Sequence, residues 1–303
     1  MRVAIVHYHL DLGGVTRVIE AASLALTNIK IDHVILSSDR VSQQSTLEPS
    51  RLKCIPSLGY LTNSGDLTPE MLADSLQLAA KEALGSPPDI WHFHNHSLGK
   101  NCLIADVVAL LAEAGERVVL QIHDLAEAGR PENYQLIANC RKLYPVSSRV
   151  HFAFLNSRDL EIFTHAGLPP QNASLLPNPI IPPCQTTSAS ITSPILFAPI
   201  RGIRRKNLGE LIFLSAFLPA GARIAVSRAP KNPAIIPIHD AWQKFAKSQN
   251  LPIDFNVVDR ISPIAEASKN FDSWIAHSSH FITTSVEEGF GFPFLEAIAM
   301  ASH

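Results

Sequence analysis

Near the end of the chain, Glu287-Glu288-Gly289-Phe290-Gly291-Phe292-Pro293-Phe294-Leu295-Glu296 sets two carboxylates, Glu288 and Glu296, around seven residues that open Gly-x-Gly and turn apolar. The run before it, Phe281 to Ser285, reads as a buried strand, and 292–300 reads as a helix. Glu288 then falls on a strand-to-helix loop, with Glu296 about one turn inside the helix. Glycines there free backbone N–H groups at a helix N-terminus, where an anion is stabilised by the dipole and by unpaired donors. A carboxylate beside a phosphate would repel it. The pair must therefore point at neutral hydroxyls, those of a ribose or a sugar.

A second constellation is Arg201-Gly202-Ile203-Arg204-Arg205-Lys206, directly after the strand-like run 195–198. Fixed cations at such a place stabilise charge that builds on a departing diphosphate; a solvated basic turn is the plainer alternative. Gly13-Gly14 follows the first strand and opens a helix, which suits a phosphate-approaching loop and equally an ordinary glycine turn. His92, His94 and His96 alternate along a strand and so share a face. No acidic or cysteine partner stands at a diagnostic metal spacing, so core packing and polar contacts are the readings retained. His123 ends another strand and is followed by Asp124. A neutral imidazole there can donate to a sugar hydroxyl, and Asp124 can cap a helix or touch ligand. Asn156 occupies the corresponding end of the fifth strand.

These positions have to be held by a core, and the composition supplies one. The chain has 303 residues, 46% hydrophobic and 17% charged, enough for two domains of ordinary size. A net charge of −2 offers no basic field for nucleic acid. The N-terminus runs straight into a strand with no signal-peptide layout, and the longest apolar stretch, 211–222, is too short to span a bilayer and contains Pro219. Four scattered cysteines without a C-x-x-C pair read as cytosolic thiols. The location expected is cytoplasmic, with peripheral association at a membrane left open.

Strand-like and helical runs alternate throughout, the pattern of parallel sheets with crossover helices. In the first half the strands expected are 2–7, 32–37, 89–93, 117–122, 151–155 and 174–176. The helices between them are 15–27, 69–84, 98–114, 131–143 and 157–166. Prolines with a Thr/Ser run make 179–194 an extended connector between domains at 1–178 and 195–303. Beyond it come strands 195–198, 223–226, 253–257 and 281–284, with helices 206–217, 239–247, 262–276 and the last one. The fold class is α/β, with two Rossmann-like, doubly wound parallel-sheet domains. In open α/β sheets ligands bind outside the carboxyl ends of the strands, and the unusual polar residues cluster at those ends.

Together these motifs resemble the E-x7-E retaining glycosyltransferases of the GT-B fold, the glycosyltransferase 4-like group 1 family. The resemblance runs from the Gly-Gly loop to Glu296. It implies transfer of a sugar from a nucleotide-diphosphate sugar, with retention and without a metal or other cofactor, to a carbohydrate, lipid or small-molecule acceptor. It assigns Arg201, Lys206, His123 and Glu288 to catalysis, with Gly13, Gly14, Phe290, Gly291, Phe292 and Glu296 binding the donor. His94 and Asn156 fall on the acceptor side.

Such proteins normally continue past this helix with a further strand and a helix that returns to the first domain. On that comparison the second domain is incomplete, and the chain is expected to be truncated or completed by another polypeptide. A non-catalytic subunit that binds nucleotide sugar or glycan is the alternative. A dinucleotide oxidoreductase ranks last, because G-x-G-x-x-G follows neither first strand. A glycosidase is disfavoured because one loop presents both carboxylates from the same side.

Overall fold

The computed structural model describes residues 1–39, 41–43, 45–128, 130–180, 193–261, 271, 273–275, 277–286, 290–292, 294–295 and 298. Two compact units divide the chain at 179/180. Most of the linker reading, at 181–192, lies outside the described residues, as does most of the helix expected over 262–276.

The first unit runs β1 (Arg2–Val6), α1 (Gly14–Asn28), β2 (Asp32–Ser37), β3 (Leu52–Cys54), α2 (Pro69–Leu84), β4 (Ile90–His94) and α3 (Ile104–Glu113). It continues with β5 (Val118–Ile122), α4 (Pro131–Ile137), β6 (Val150–Phe154), α5 (Ser157–His165) and β7 (Ala173–Leu175). All seven strands pair in parallel, in the order β3-β2-β1-β4-β5-β6-β7. The order reverses beside β1, a switch point at which open α/β sheets leave a crevice.

Because β1, β4 and β5 are interior strands, both faces are covered. One face packs Trp91, Phe93, Leu120 and Phe152 against Leu72 and Leu76 of α2 and Val107 and Leu111 of α3. The other sets Val3, Ile5 and Ile35 against Ile19 of α1. Each such side chain contributes about 1.5–3 kcal/mol by leaving water. Helix α2 shows why its boundaries were readable: Thr68 Oγ1 accepts from the Met71 N–H at 3.2 Å, Pro69 opens the first turn, and Gly85 closes it in the left-handed region.

The main departures from expectation are at β3, α3 and α4, the last of which ends at Ile137 and not at 143. Strand β3 was not anticipated; its three residues lie between Pro49 and Pro56 and it is the edge of the sheet. Helix α3 begins at Ile104 and not near 98. Asn101 Nδ2 donates to the carbonyls of Ser57 and Gly59, both at 2.8 Å, and Asn101 Oδ1 accepts from the Leu103 N–H. Residues 98–103 are thus recruited into a loop bridged to Leu61.

The second unit runs β8 (Ile195–Arg201), α6 (Leu208–Ser215), β9 (Arg223–Arg228), α7 (Ile236–Ser248), β10 (Ile253–Asp254), α8 (Val257–Ile261) and β11 (His280–Phe281). Among the described residues its four strands are parallel, in the order β10-β9-β8-β11. Leu211, Ile212 and Val226 fill one face; Phe197, Ala225 and Val258 fill the other, where Trp274 stacks on Phe197. Strand β8 extends three residues past the expected end. Its register with β9 shifts between Ala198 and Arg201, where Pro199 has no N–H for the ladder. Of the final helix expected over 292–300, residues 292, 294, 295 and 298 are helical.

Candidate functional site

In the first unit the polar residues converge at the carboxyl ends of β1, β4 and β5. His123 follows β5 and is 7% exposed; His94, the last residue of β4, is 2% exposed. Their rings stack at 18° and share a 2.8 Å hydrogen bond between His94 Nδ1 and His123 Nε2. His92 Nε2 donates to Gln121 Oε1 at 3.0 Å, and His7 Nδ1 donates to the His94 carbonyl at 3.1 Å. His96 points elsewhere, bonding the Leu143 carbonyl through Nε2 at 2.8 Å.

Burial is the first cause that lowers the pKa of each: His7 and His123 to about 3, His92 and His96 to about 4, and His94 well below its ordinary value. Neighbouring imidazoles push His7, His94 and His123 further the same way. At neutral pH all five are uncharged. Each can therefore act as a neutral hydrogen-bonding ring but only as a weak base.

Asn95 sets this arrangement and was not singled out from the sequence. It adopts φ 57°, in the left-handed region, and its Oδ1 accepts from the N–H groups of His123 at 2.8 Å and Asp124 at 3.0 Å. Its own N–H donates to the Gln121 carbonyl, and its carbonyl accepts from Tyr8 Oη at 2.6 Å. One residue thus ties the ends of β1, β4 and β5. The only sequence signal was an Asn, a residue tolerant of that conformation, placed just past a strand.

Other positions are as follows. His94 is buried beneath His123 and does not line an open surface. Asn156 caps α5, its Oδ1 accepting from the Asp159 N–H at 2.8 Å. Asp124 caps no helix and pairs with Arg130 at 2.6 Å. Gly13 is the N-cap of α1 in extended backbone, and Gly14 is its first helical residue; both are exposed.

In the second unit, Arg201 ends β8 and Lys206 closes a one-turn 3-10 helix, Arg204–Lys206. The turn is fixed from two sides. Gly202 lies against the His239 ring of α7, where a Cβ would fall inside the imidazole. From the other side, Thr284 Oγ1 donates to the carbonyls of Lys206 at 3.1 Å and Asn207 at 3.0 Å, while the Val286 N–H donates to the Arg205 carbonyl at 2.9 Å. The basic turn and the segment leading into Glu287 are therefore held together.

Arg201 is half-buried, with Nη1 on the Ala229 carbonyl at 3.4 Å. Burial, then the Arg228 guanidinium, lower its pKa, and Asp259 opposes them. Gly291 has φ 75°, a conformation that favours glycine. Phe290 and Phe292 flank it with edge-to-face rings 5.1 Å apart. Glu288 and Glu296 lie outside the described residues. Among the described residues no group of three His, Cys, Asp or Glu is placed to hold a metal ion, and no helix is long and apolar enough to cross a membrane.

No protein-family model matches the chain. In sequence it is 25% identical, over 327 aligned positions, to mannosylglucosyl-3-phosphoglycerate synthase of Petrotoga mobilis; the match takes in 97% of this chain, which spans 62% of that protein's length. Among solved structures, Anabaena HepE in complex with UDP-glucose superposes with a TM-score of 0.71 at 13% identity, covering 99% of this chain and 78% of that one. WaaG, a glycosyltransferase involved in lipopolysaccharide biosynthesis, gives 0.63 at 14% identity, covering 99% and 79%. The lipopolysaccharide outer core galactosyltransferase WaaB gives 0.62 at 15%, covering 99% and 78%. In fold, the chain is similar to these glycosyltransferase structures and has the α/β, parallel-sheet GT-B architecture.

Proposed function

We propose that the chain is a glycosyltransferase, or the main part of one, that moves a sugar from a nucleoside-diphosphate sugar to an acceptor hydroxyl. The observation that carries this reading is the second unit's turn. Thr284 and Val286 hold the Arg201–Lys206 segment against the stretch entering Glu287, so two motifs far apart in sequence are joined. The relative in Petrotoga mobilis is named as a sugar-phosphoglycerate synthase, and the HepE structure holds UDP-glucose; both agree with it.

The roles follow from the chemistry. As the bond from the anomeric carbon to the diphosphate oxygen breaks, its electron pair stays on the diphosphate. Arg201 and Lys206 supply fixed positive charge for it, with no protein reorganisation at that moment. A neutral imidazole whose conjugate acid has a pKa of about 3 does not take the acceptor's proton at neutral pH. His123 instead hydrogen-bonds a hydroxyl, and the proton passes to the departing diphosphate oxygen, on the face where retention results. Glu296 takes the ribose hydroxyls and Glu288 those of the transferred sugar. Gly13 and Gly14 offer backbone N–H groups to the donor, as do Phe290, Gly291 and Phe292.

Titration calorimetry with UDP-, GDP- and ADP-glucose, with and without EDTA, tests this. One of the three should bind in the presence of chelator. Binding abolished by EDTA would overturn the metal-free reading. Failure of every nucleotide sugar to bind would overturn the transferase reading, and binding with no transfer to any acceptor would favour the non-catalytic alternative.

A further inference from the structure

His123 is held at three places. Its backbone N–H is clamped by Asn95 Oδ1, its ring lies on the His94 ring, and its Nε2 faces His94 Nδ1 at 2.8 Å. Its Nδ1 has no hydrogen bond among the described residues and is not among the nitrogens sealed from solvent. That atom is the ring's outlet. His94 differs: its Nε2 is sealed and has no partner among the described residues.

The contact between the two rings holds one hydrogen, and the position of that hydrogen fixes both tautomers. If His123 donated, His94 would carry its own hydrogen on Nε2, burying an N–H with no acceptor. If His94 donates, what is buried is a lone pair. Orphaned buried N–H groups are the rarer arrangement, and under-satisfied acceptors are better tolerated. The hydrogen therefore belongs on His94 Nδ1, His123 Nε2 accepts it, and the hydrogen of His123 sits on the outward Nδ1.

We propose that His94 is a positioning residue that never meets substrate: it fixes His123 as the Nδ1–H tautomer and so makes the exposed nitrogen a hydrogen-bond donor. What it deepens is the transferase reading above, and the group it would address is a hydroxyl oxygen of the transferred sugar or acceptor. The structure also explains why an imidazole occupies the buried place. Asn95 sets the His123 backbone, but only a side-chain donor on β4 can decide which ring nitrogen carries the hydrogen.

The test uses the full chain labelled with 15N histidine. Long-range 15N–1H correlation spectra should show His123 protonated on Nδ1 in the parent protein. In His94→Leu, which fills the space without a donor, the Nε2–H form should appear. In His94→Asn, whose amide nitrogen reaches the Nδ1 position, the Nδ1–H form should return. Transfer should fall about 10–100-fold in His94→Leu with the donor KM unchanged, and recover to within a few-fold in His94→Asn. Should His94→Leu fail to fold, His94→Gln, whose amide overshoots the His123 nitrogen, carries the same expectation.

An Nε2–H His123 in the parent protein, or a His94→Leu protein with unchanged tautomer and rate, would overturn the proposal. The spectra need no substrate. A protein that transfers nothing would refute the functional reading, while the spectra would still decide whether His94 sets His123.

Discussion

The two units place their unusual residues at the same edge of a parallel sheet and give them opposite electrostatic characters. In the first, His7, His94 and His123 lie buried at the ends of interior strands with His92 half-buried within β4, and all four are neutral. In the second, Arg201 and Lys206 stand where β8 runs into a short turn, half-buried and charged. Residue type and burial both act here. An imidazole can give up its charge when it loses water, whereas a guanidinium cannot. One architecture thereby provides neutral groups suited to hydroxyls on one unit and permanent charge suited to phosphate on the other.

Acid should separate the units most strongly. Among the described residues, every histidine with a lowered pKa belongs to the first unit. Between the folded values of about 3 to 4 and the ordinary 6.5, the unfolded chain binds protons that the folded unit does not. Stability from these groups is thus fully present above pH 6.5 and is lost as pH falls toward 4. At pH 5 each buried histidine costs about 2 kcal/mol, and several together approach the ~5–15 kcal/mol that holds a domain folded. Hydrogen exchange followed from pH 7 to 4.5 should show the β4 and β5 amides losing protection while those of β8 and β9 keep theirs. Simultaneous loss in both units would break the comparison.

Charge in the second unit is the next lever. Lys206→Ala should lower kcat by about 10²–10³, the loss typical of one preorganised group at a developing anion, with a much smaller change in nucleotide affinity. Glu296→Ala should do the reverse, weakening nucleotide binding, because the ribose contact proposed for it would be made before the bond breaks. Calorimetry beside initial rates distinguishes them. Nucleotide affinity unchanged in Glu296→Ala would remove the ribose assignment.

Glycines sharpen the contrast at lower cost. Gly202→Ala forces a methyl into the His239 ring and should destabilise the second unit by about 1–3 kcal/mol, the usual penalty for overpacking. Gly13→Ala meets nothing closer than the Asp11 carbonyl oxygen at 3.8 Å, in extended backbone, so melting should move little. Weaker donor binding in Gly13→Ala with an unchanged melting temperature would mark Gly13 as kept small for a ligand. Equal melting losses in the two variants would show that both glycines serve packing alone.

Much of this organisation was legible because local rules and the fold agree. Thr68-Pro69 and Gly85 bound α2 as their chemistry dictates, and the run Val118–Ile122, apolar but for Gln121, is an interior strand with both faces covered. What stayed hidden depends on partners distant in sequence. Asn101 delays α3 by bonding carbonyls some forty residues earlier. Asn95 organises three strand ends through its backbone and one side-chain oxygen. The alternation of His92, His94 and His96 suggested a shared face, yet the chain turns after β4 and sends His96 to Leu143. Spacing cannot show where a strand stops.

The smallest effect is expected at Thr284, which joins the two motifs of the second unit. Its hydroxyl can give only one hydrogen, shared between the Lys206 and Asn207 carbonyls. Thr284→Val keeps the shape and removes that hydrogen, leaving two carbonyls that the adjacent exposed turn allows water to reach. The stability cost should be about 1 kcal/mol, near the net worth of a single hydrogen bond. The functional cost should exceed what that figure suggests. The Val286 N–H still holds the Arg205 carbonyl, so the turn stays attached while the Lys206 carbonyl loses the Thr284 hydroxyl. A kcat reduced by up to about tenfold with nucleotide affinity intact is the expected pattern. If Thr284→Val left kcat unchanged and weakened nucleotide binding instead, the hydroxyl would act on the ground-state donor site, and the division of labour between Lys206 and the carboxylates would have to be redrawn.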